Sequence, residues 1–286
     1  MFYLMKVVKR NGDLEDYNPE KVVKSLKNSG VSESTINKIL QTIKDKRFDS
    51  ISTDKLYKIV YQLVKKLENK YNASIYSLKQ AIMRLGPDGY TFEDYIAKIF
   101  AGEGFKVKTK QVYESNCITH ELDVVGDDFF VECKYHNSGG ITSGIKDVMY
   151  SHARFLDLKD ACKNKGYHFR KLWVATNTKF SDECIDYGKY WGLKLMSWKY
   201  DGKNSLSYII DTKHYFPVTL LPSVGREVFS LLSRKNILLI TEVRDKSDEE
   251  LKSIGLSADE VAKLRTDCDN IIEAAKKIEK INGGKK

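Results

Sequence analysis

No stretch of this 286-residue sequence approaches a long apolar run, and that absence argues against a membrane-spanning helix. Such a helix needs about 20 consecutive, predominantly apolar residues. The amino-terminal letters MFYLMKVVKR are apolar for only five positions, which is too short for the core of a secretory signal peptide. We therefore predict a cytoplasmic protein with no membrane partner.

Cysteine is scarce, and its spacing suggests no pairing. The five cysteines are an odd number, and no two of them form a C-x-x-C pair. That pattern argues against both a disulfide framework and a cysteine-based zinc site, and it suits a reducing compartment. The sequence also lacks an internal repeat.

Positive charge, by contrast, is in excess. Lysine and arginine total 48 against 39 acidic residues, which gives a formal net charge of +9 and a pI near 9.0. A basic protein suits a polyanionic partner such as nucleic acid, but lysine-rich helix faces on an ordinary soluble protein give the same total. Charge alone favours neither interpretation.

Turn signals divide the chain into three segments. The cluster Gly86-Pro87-Asp88-Gly89 marks the first boundary, because glycine and proline interrupt regular structure. We predict domains at residues 1–86, 87–215 and 216–286. The third segment has the pattern of several short helices, and its apolar run at 237–240 is ambiguous between a strand and a buried helix.

The first segment begins with a predicted hairpin that is followed by helices. LMKVVKR has the pattern of a strand, Asn11-Gly12 is a strong hairpin-turn signal, and a return strand covers 14–17. A helix then begins with Asn18 as its N-cap and Pro19 in its first turn. Apolar spacing predicts three more helices, near 32–45, 53–70 and 75–85.

The middle segment predicts an α/β fold. Its order is a helix over TFEDYIAKIFAGEG, three strands, a helix near 143–164, a strand KLWVAT, a helix near 181–190 and a strand LKLMSW. The second and third strands, HELDVVG and FFVECKYH, are joined by Gly126-Asp127-Asp128, which is typical of a hairpin. Strands separated by helices imply a mixed sheet with helices on both faces.

The sequence contains one set of residues that could form a metal-binding catalytic site: Asp123, Glu132 and Lys134. Side chains alternate along a strand, so Glu132 and Lys134 share a face, and the hairpin returns Asp123 beside them. Two carboxylates can bind Mg²⁺ with room for water and a phosphate. The metal lowers the pKa of a bound water, and the lysine can orient or deprotonate that water or neutralise developing charge. A solvated hairpin with a cross-strand ion pair is the alternative.

This D…ExK pattern resembles the PD-(D/E)xK nuclease superfamily, and in particular the Mrr-like restriction endonucleases. The resemblance covers about residues 90–200 and implies a restriction-endonuclease-like mixed sheet flanked by helices. It carries the catalytic aspartate onto Asp123 and the ExK onto Glu132 and Lys134. It also adds Glu93, on the preceding helix, as a catalytic residue and metal ligand.

Other residues near this motif are secondary candidates. Leu122 replaces the proline that gives the superfamily its name, which weakens the recognition more than the expected activity. His120 is a catalytic candidate if a bulge in the strand brings it into phase with the aspartate. Three residues of the following helix could contact a phosphate backbone: Lys146, His152 and Arg154.

The stretch VVKRNGDLEDYNPEKV resembles the ATP-cone, the regulatory nucleotide-binding module of ribonucleotide reductases and their repressors. The resemblance covers about residues 4–86 and implies ATP or dATP as a regulatory ligand. It implies phosphate contacts by Lys9, Arg10 and Lys21, base or ribose contacts by Glu15 and Asn18, and a further contact by Thr53. A basic surface hairpin is the alternative. Because the sequence has no P-loop, we expect ATP to be sensed and not hydrolysed.

The last segment, over residues 220–275, loosely resembles tandem helix-hairpin-helix modules. Such modules use hairpin glycines to hold a DNA phosphate, and the candidates are Gly225 and Gly255. A small helical domain used for dimerisation is the alternative.

These features together predict a Mg²⁺-dependent DNA endonuclease, with Mn²⁺ as an alternative metal, that is regulated by ATP or dATP. The predicted partners are DNA, a nucleoside triphosphate and a second copy of the chain, because a double-strand break by this chemistry needs two active sites. The rival functions are a nuclease acting on RNA or branched DNA, and a nucleotide-sensing DNA-binding regulator with an inactive nuclease core. The intact D…ExK set argues against the regulator.

Overall fold

The computed structural model describes residues 5–10 and 12–283, so Leu4 of the first predicted strand and Asn11 of the predicted turn lie outside the described residues. The chain forms two compact units. One contains the residues up to Ala81 together with those from Phe216 onward, and the other contains Ile82–Tyr215. The sequence analysis separated three domains, whereas the structure packs the first and third segments together. No helix of the described residues is both long and apolar enough to cross a membrane.

The amino-terminal region is a small sheet with helices. Its strands are β1 (Lys6–Val8), β2 (Leu14–Asp16) and β3 (Ser50–Ser52), and its helices are α1 (Pro19–Asn28), α2 (Glu33–Asp45), α3 (Thr53–Leu67), α4 (Lys70–Tyr76) and α5 (Leu78–Ile82). In the sheet, β1 lies between β2, which is antiparallel to it, and β3, which is parallel. The predicted strands and helical regions are present, but β3 and most of α4 were not predicted. The last predicted helix, near 75–85, corresponds to the end of α4 and to α5, which are separated at Ser77.

Capping and apolar spacing explain where these helices form. Asn18 caps α1 as predicted, because its side-chain oxygen accepts a 2.8 Å hydrogen bond from the N–H of Glu20. Along α2, the buried residues Ile36, Ile39 and Ile43 recur at helical spacing. These isoleucines belong to the apolar core of the amino-terminal region.

The second unit is built on a five-stranded mixed sheet. The unit as a whole contains the strands β4 (Lys108–Glu114), β5 (Thr119–Val125), β6 (Phe129–Lys134), β7 (Thr142–Ser143), β8 (Lys171–Thr176), β9 (Lys179–Phe180) and β10 (Lys194–Met196). Its α-helices are α6 (Tyr90–Gly102), α7 (Ile145–Lys165), α8 (Asp182–Trp191) and α9 (Leu206–Lys213). The sheet order is β10–β8–β6–β5–β4, in which β5 is antiparallel to both of its neighbours and β8 is parallel to both of its own. The short strands β7 and β9 pair separately. The predicted mixed α/β architecture is confirmed.

Two helices cover opposite faces of this sheet. The ring of Phe129 lies 5.4 Å from that of Phe100 on α6, whereas the ring of the next residue, Phe130, lies 6.1 Å from that of Phe155 on α7. Because successive side chains of a strand point to opposite faces, α6 and α7 lie on opposite sides of β6. The strand that carries the ExK residues is therefore held between two packed layers.

The C-terminal segment is helical, as predicted, but it ends in one long helix. Its helices are α10 (Arg226–Arg234), α11 (Ile240–Asp245), α12 (Asp248–Ser253) and α13 (Ala258–Gly283). The expectation of short helices is wrong for α13, which spans 26 residues. Leu239 is extended and Ile240 begins α11, so the ambiguous run at 237–240 contains both an extended segment and a helix start.

Buried polar contacts explain why this segment packs with the amino-terminal region. The carboxylate of Asp267, which is 2% exposed, accepts hydrogen bonds from Lys70 Nζ at 2.9 Å and from the N–H of Ser223 at 2.8 Å. The hydroxyl of Thr219 donates to the carbonyl of Ala81 at 2.7 Å. A buried carboxylate is costly without such partners, so these segments depend on each other.

Gly126, in the turn between β5 and β6, leaves no room for a side chain. A Cβ atom there would lie 2.2 Å from the ring of Phe129, which is packed against Phe100 and Phe105. We expect Gly126→Ser to lower the free energy of unfolding by roughly 1–3 kcal/mol, the usual cost of overpacking, as measured by urea denaturation. Gly144→Ser is the control, because no atom lies within 4 Å of its Cβ position. Equal stability of the two variants would contradict the prediction.

Candidate functional site

Asp123 lies where the pairing of β5 with β6 ends. The last paired residues toward that end are Val124 and Val131, and Asp123 is the next residue along β5. Its carboxylate accepts a 2.6 Å hydrogen bond from the N–H of Cys133. The side chain thus supplies an acceptor to β6 at the point where the backbone ladder stops.

Glu132 lies between two cations. One of its carboxylate oxygens is 2.9 Å from Lys134 Nζ, and the other is 2.7 Å from a terminal nitrogen of Arg154. Glu132 is only 4% exposed, so both ion pairs are shielded from water, and removing either partner would leave a costly buried charge. Alternation along β6 correctly placed Lys134 beside Glu132, and the structure adds an arginine from α7.

Arg154 also joins α7 to the hairpin. The nitrogen that contacts Glu132 donates to the backbone carbonyl of Glu121 at 3.0 Å. The guanidinium carbon lies 5.1 Å from the ring centroid of Tyr150, within range of a cation–π contact. From the sequence, Arg154 was a candidate for contact with a phosphate backbone. In the structure it instead orients the carboxylate of Glu132 in the candidate site.

The two histidines considered in the sequence analysis are engaged elsewhere. His120 is buried, and its Nε2 lies 2.7 Å from the carboxylate of Asp157 on α7. Among the hydrogen bonds and ion pairs of the described residues, none joins His120 to the three central residues. His152 is also buried, with Nδ1 2.8 Å from the hydroxyl of Tyr187. Lys146, by contrast, is exposed.

Burial and mutual repulsion raise the pKa of two carboxyl groups at the site. The pKa of Asp123 is raised to about 6, first by burial and then by the charge of Glu132. The pKa of Glu93, on α6, is raised to about 7, first by burial and then by the charge of Asp123. Within the described part of the chain, the Glu93 carboxylate has no hydrogen-bond or ion-pair partner. Glu93 therefore lies within the electrostatic field of Asp123.

These carboxylates suit a hard divalent cation. Their raised pKa values mean that negative charge at the site is poorly compensated, and a bound cation would compensate it. The described residues hold no group of three or more histidine, cysteine, aspartate or glutamate side chains that could hold a metal ion, so they form no closed cage. Mg²⁺ commonly uses only one or two protein carboxylates and keeps several waters, a need that Asp123 with Glu132 or Glu93 would meet.

A second candidate site lies on the amino-terminal hairpin. Glu15 of β2 forms ion pairs with Lys9 at 2.9 Å and with Lys21 of α1 at 3.1 Å. These contacts lower the pKa of Glu15, and the bond to Glu15 raises that of Lys9. Arg10 instead pairs with Asp54 of α3 at 2.6 Å. The structure thus brings three predicted ligand residues together and holds the fourth beside the start of α3.

Asn18 and Thr53 each have a structural contact. The side-chain oxygen of Asn18 caps α1, and the hydroxyl of Thr53 donates to the carbonyl of Val8 at 3.2 Å. These contacts account for both residue types without a ligand. Their contacts to a nucleotide stay predictions.

Two features of the central site were not predicted from the sequence. The contact between Arg154 and Glu132 joins residues 22 positions apart on different elements, so no local pattern reveals it. Lys110 of β4 has a φ of +54°, and its ammonium lies 3.2 Å from the carboxylate of Asp94. Alternation along the segment predicted the strand, but no sequence signal indicated this backbone conformation.

Comparisons with known proteins identify the amino-terminal region. Residues 5–82 match the ATP cone domain, so the predicted ATP-cone is confirmed. An uncharacterized protein of Archaeoglobus fulgidus is 33% identical over 181 residues, which is 62% of this chain and 99% of the relative. The crystal structure of a protein of unknown function, AF1548, is 33% identical, with a TM-score of 0.54 over 66% of this chain and 97% of that chain. A match of this length on this chain necessarily includes its middle, where β5 and β6 lie.

The raised pKa of Asp123 predicts a pH-dependent cost to folding when no divalent metal is bound. Its carboxyl group ionises near its ordinary pKa of 3.8 in the unfolded chain but only at about 6 in the folded protein. The unfolded state therefore releases its proton first, and folding becomes less favourable as pH rises through that interval. Asp123→Asn keeps an oxygen that can accept from the Cys133 N–H. We expect this variant to be more stable than the wild type by up to about 3 kcal/mol above pH 7 and equal to it near pH 3.

Urea unfolding in the presence of EDTA at several pH values measures this difference. Asp186→Asn, on an exposed position of α8, is the control for a change in net charge. A difference between Asp123→Asn and the wild type that stays constant with pH would show that burial of the charge is not its cause.

Proposed function

This chain belongs to the same protein family as the uncharacterized Archaeoglobus fulgidus protein, and we propose that it is a Mg²⁺-dependent DNA endonuclease whose ATP-cone binds ATP or dATP. The observation that carries the nuclease proposal is the meeting of Asp123, Glu132 and Lys134 at one end of β5 and β6. Acidic groups that hold a metal and a cation that meets a phosphate are what metal-dependent phosphodiester hydrolysis needs.

The order of elements supports a restriction-endonuclease-like fold. A helix, α6, precedes three antiparallel strands, and the crossover helix α7 leads to β8, which is parallel to β6. The resemblance to Mrr-like enzymes covers this same order. It also places the aspartate on the second strand and the ExK on the third, as β5 and β6 have them.

Asp123 would hold the metal together with Glu132 or Glu93. When bound, Mg²⁺ or Mn²⁺ supplies a water of lowered pKa and stabilises negative charge on the phosphate. Asp123 is held by the Cys133 N–H, and Glu132 by Lys134 and Arg154. These bonds fix where the carboxylates point.

Lys134 acts as a cation in this proposal. Burial is the largest single influence and lowers the pKa of its ammonium, but the acidic groups of Glu132, Asp123 and Asp147 together outweigh burial and raise that pKa above its usual value. Lys134 therefore keeps its proton at neutral pH. Its role is to bind a phosphate oxygen and offset the charge that develops there, and not to take a proton from water.

The C-terminal helices and a second copy of the chain complete the proposal. Gly255 lies between α12 and α13 with a φ of +107°, a tight turn that suits a helix-hairpin-helix contact with a DNA phosphate. A homodimer would supply the two active sites that a double-strand break requires. The rivals are a nuclease for RNA or branched DNA, and a nucleotide-sensing DNA-binding regulator with an inactive core.

A nicking assay tests the proposed catalytic residues. We expect Asp123→Ala, Glu132→Ala and Lys134→Ala each to reduce Mg²⁺-dependent nicking of supercoiled plasmid by at least about a hundredfold, because residues that act as a unit are not additive. Glu114→Ala is the matched control, since Glu114 is an exposed acidic residue of β4. Ca²⁺ should support DNA binding without cleavage.

Each variant needs a circular dichroism spectrum that matches the wild type. If the folded Glu132→Ala variant nicks plasmid at the wild-type rate, the nuclease proposal is wrong. Metal-independent DNA binding without cleavage by the wild type would favour the regulator instead, and cleavage of RNA or branched substrates alone would favour the other rival.

Calorimetry tests the nucleotide site. Lys9 and Lys21 converge on Glu15, so both ammonium groups are already close enough to bind one triphosphate. We expect Lys9→Ala to weaken binding of ATP or dATP by at least about tenfold, a loss of about 1.4 kcal/mol, while basal Mg²⁺-dependent nicking persists. Lys27→Ala is the control, because Lys27 pairs with Glu33 at the other end of α1.

Regulation adds a second measurement to the same proteins. If ATP changes the nicking rate of the wild type, it should not change that of Lys9→Ala. Absence of ATP and dATP binding by the wild type at millimolar concentration would defeat the proposed regulation and leave the nuclease proposal standing.

A further inference from the structure

Lys110 has a backbone conformation that its position in a strand does not explain. The described residues other than glycine with positive φ are Arg47, Lys110, His214 and Asn236. Three of them follow the ends of helices α2, α9 and α10, where a left-handed residue commonly closes the helix. Lys110 lies inside β4, where a left-handed conformation is sterically unfavourable for a residue with a Cβ atom. Strain of this kind persists only where the surroundings enforce it.

The strained residue faces the proposed catalytic aspartate. On β4 and β5, Thr109 pairs with Val124 and Gln111 pairs with Leu122. The residues between these two pairs are Lys110 and Asp123. The distortion of β4 therefore lies at the level of the candidate site and not at a free end of the strand.

The side chain of Lys110 reaches from β4 to the first turn of α6. Its ammonium is 3.2 Å from a carboxylate oxygen of Asp94 and 5.2 Å from the ring centroid of Tyr90. Asp94 directly follows Glu93, the carboxylate within the field of Asp123. The bond from Lys110 thus connects the edge strand to the helical turn that carries Glu93.

An edge-strand lysine also has a simpler use, which is to keep one sheet from pairing with another. That use requires only a charge at the edge, and Lys108, two residues earlier on β4, supplies one without a left-handed backbone. It gives no reason for strain at Lys110 or for the bond to Asp94. The two lysines therefore provide a matched pair on one strand.

We propose that Lys110 is a positioning residue, which holds the first turn of α6 through Asp94 so that Glu93 stays beside Asp123 as a metal ligand. This inference rests on the proposed function, because it assigns Glu93 to the metal. The left-handed backbone at Lys110 directs the side chain toward α6. The side chain of Gln111 supports the distorted strand by donating a 2.7 Å hydrogen bond to the carbonyl of Thr109.

Titration of the full chain with Ca²⁺ in a calorimeter tests this role without relying on cleavage. The variants are Lys110→Asn, Asp94→Ala and the double substitution. Asparagine tolerates a left-handed backbone, and alanine removes the oxygen that accepts from Lys110. We expect each single variant to weaken Ca²⁺ binding by about tenfold, the usual effect of losing a residue that supports a ligand. The double variant should be no weaker than either single one, because both break the same bond.

The sign of the change at Lys110 separates positioning from simple electrostatics. Lys110 also lowers the pKa of Glu93, which is about 7, so the titration is run at about pH 9, where Glu93 is ionised. There, loss of a positive charge beside the site should strengthen cation binding through Coulomb's law, whereas loss of positioning should weaken it. Lys108→Asn removes the same charge from the same strand and should leave Ca²⁺ binding unchanged or slightly stronger. Lys110→Arg should restore binding, and Lys110→Gly should raise the midpoint of thermal unfolding while binding stays weak.

Several outcomes would overturn the inference. Unchanged or stronger Ca²⁺ binding by folded Lys110→Asn would do so. So would normal binding by Asp94→Ala, which would leave Lys110 as a lysine that contacts DNA directly. If the wild type neither binds Ca²⁺ nor nicks plasmid with Mg²⁺, the proposed function fails and this inference fails with it. If the wild type does both while the variants match it, only this inference fails.

Discussion

The hydrogen bond from the Cys133 N–H to Asp123 is the contact on which the candidate site depends. The backbone ladder between β5 and β6 stops at Val124 and Val131, and without a substitute acceptor the next N–H of β6 would be left unpaired at a half-buried position. The carboxylate of Asp123 fills that need at 2.6 Å. A structural requirement of the hairpin therefore holds an acidic group beside Glu132, and the chemistry of the site follows from that placement.

Charge is distributed unevenly around this contact. Glu132 has a cation on each oxygen, whereas Glu93 has no ion-pair partner among the described residues. The result is one carboxylate that is firmly held and two, Asp123 and Glu93, whose pKa values rise. Burial disfavours the charge of each, and so does a neighbouring carboxylate, which is Glu132 for Asp123 and Asp123 for Glu93. A fold that keeps such groups together gives up stability, and proteins commonly do so at functional sites.

The strands, the helix start and the shared strand face that were predicted correctly all depend on sequence patterns a few residues long. Alternation located β4, β5 and β6, and the Asn18 cap located the start of α1, because both signals act over a few residues. It also placed Glu132 and Lys134 on one face, since a strand has a period of two. The three-residue strand β3 was missed because it is too short to show a period, and the helix break at Ser77 carries no glycine or proline.

Features that depend on tertiary contacts could not be predicted in this way. Arg154 contacts Glu132 only because α7 packs against the sheet. The side chain of Lys110 bonds to Asp94 on α6, an element that no pattern within β4 indicates. The division into units has the same cause. Asp267 is buried against Lys70, nearly 200 positions away, and no pattern within either segment indicates that the first and last segments form one compact unit.

Two sites in this protein use the same arrangement, a carboxylate between two cations, and the degree of burial gives it different consequences. On the ATP-cone, the side chains of Lys9 and Lys21 are 45% and 64% exposed and that of Glu15 is 31% exposed. Ion pairs in such a position are weak and easily screened. A triphosphate, which carries several charges and many acceptor oxygens, could therefore replace Glu15 as the ion-pair partner of both lysines at little cost in free energy.

At Glu132 the same arrangement is closed to water. The side chain of Glu132 is 5% exposed, and those of Lys134 and Arg154 are 23% and 14% exposed. Separating either buried pair would leave a charge without compensation, so an arriving phosphate cannot simply replace the carboxylate. The cations of the ATP-cone can exchange their carboxylate for a ligand, whereas those of the central site keep theirs, so that Lys134 would meet a phosphate oxygen only with the N–H groups that Glu132 does not use. This difference suits a regulatory nucleotide that binds and leaves, and it suits the proposed metal site, whose ligands must not move.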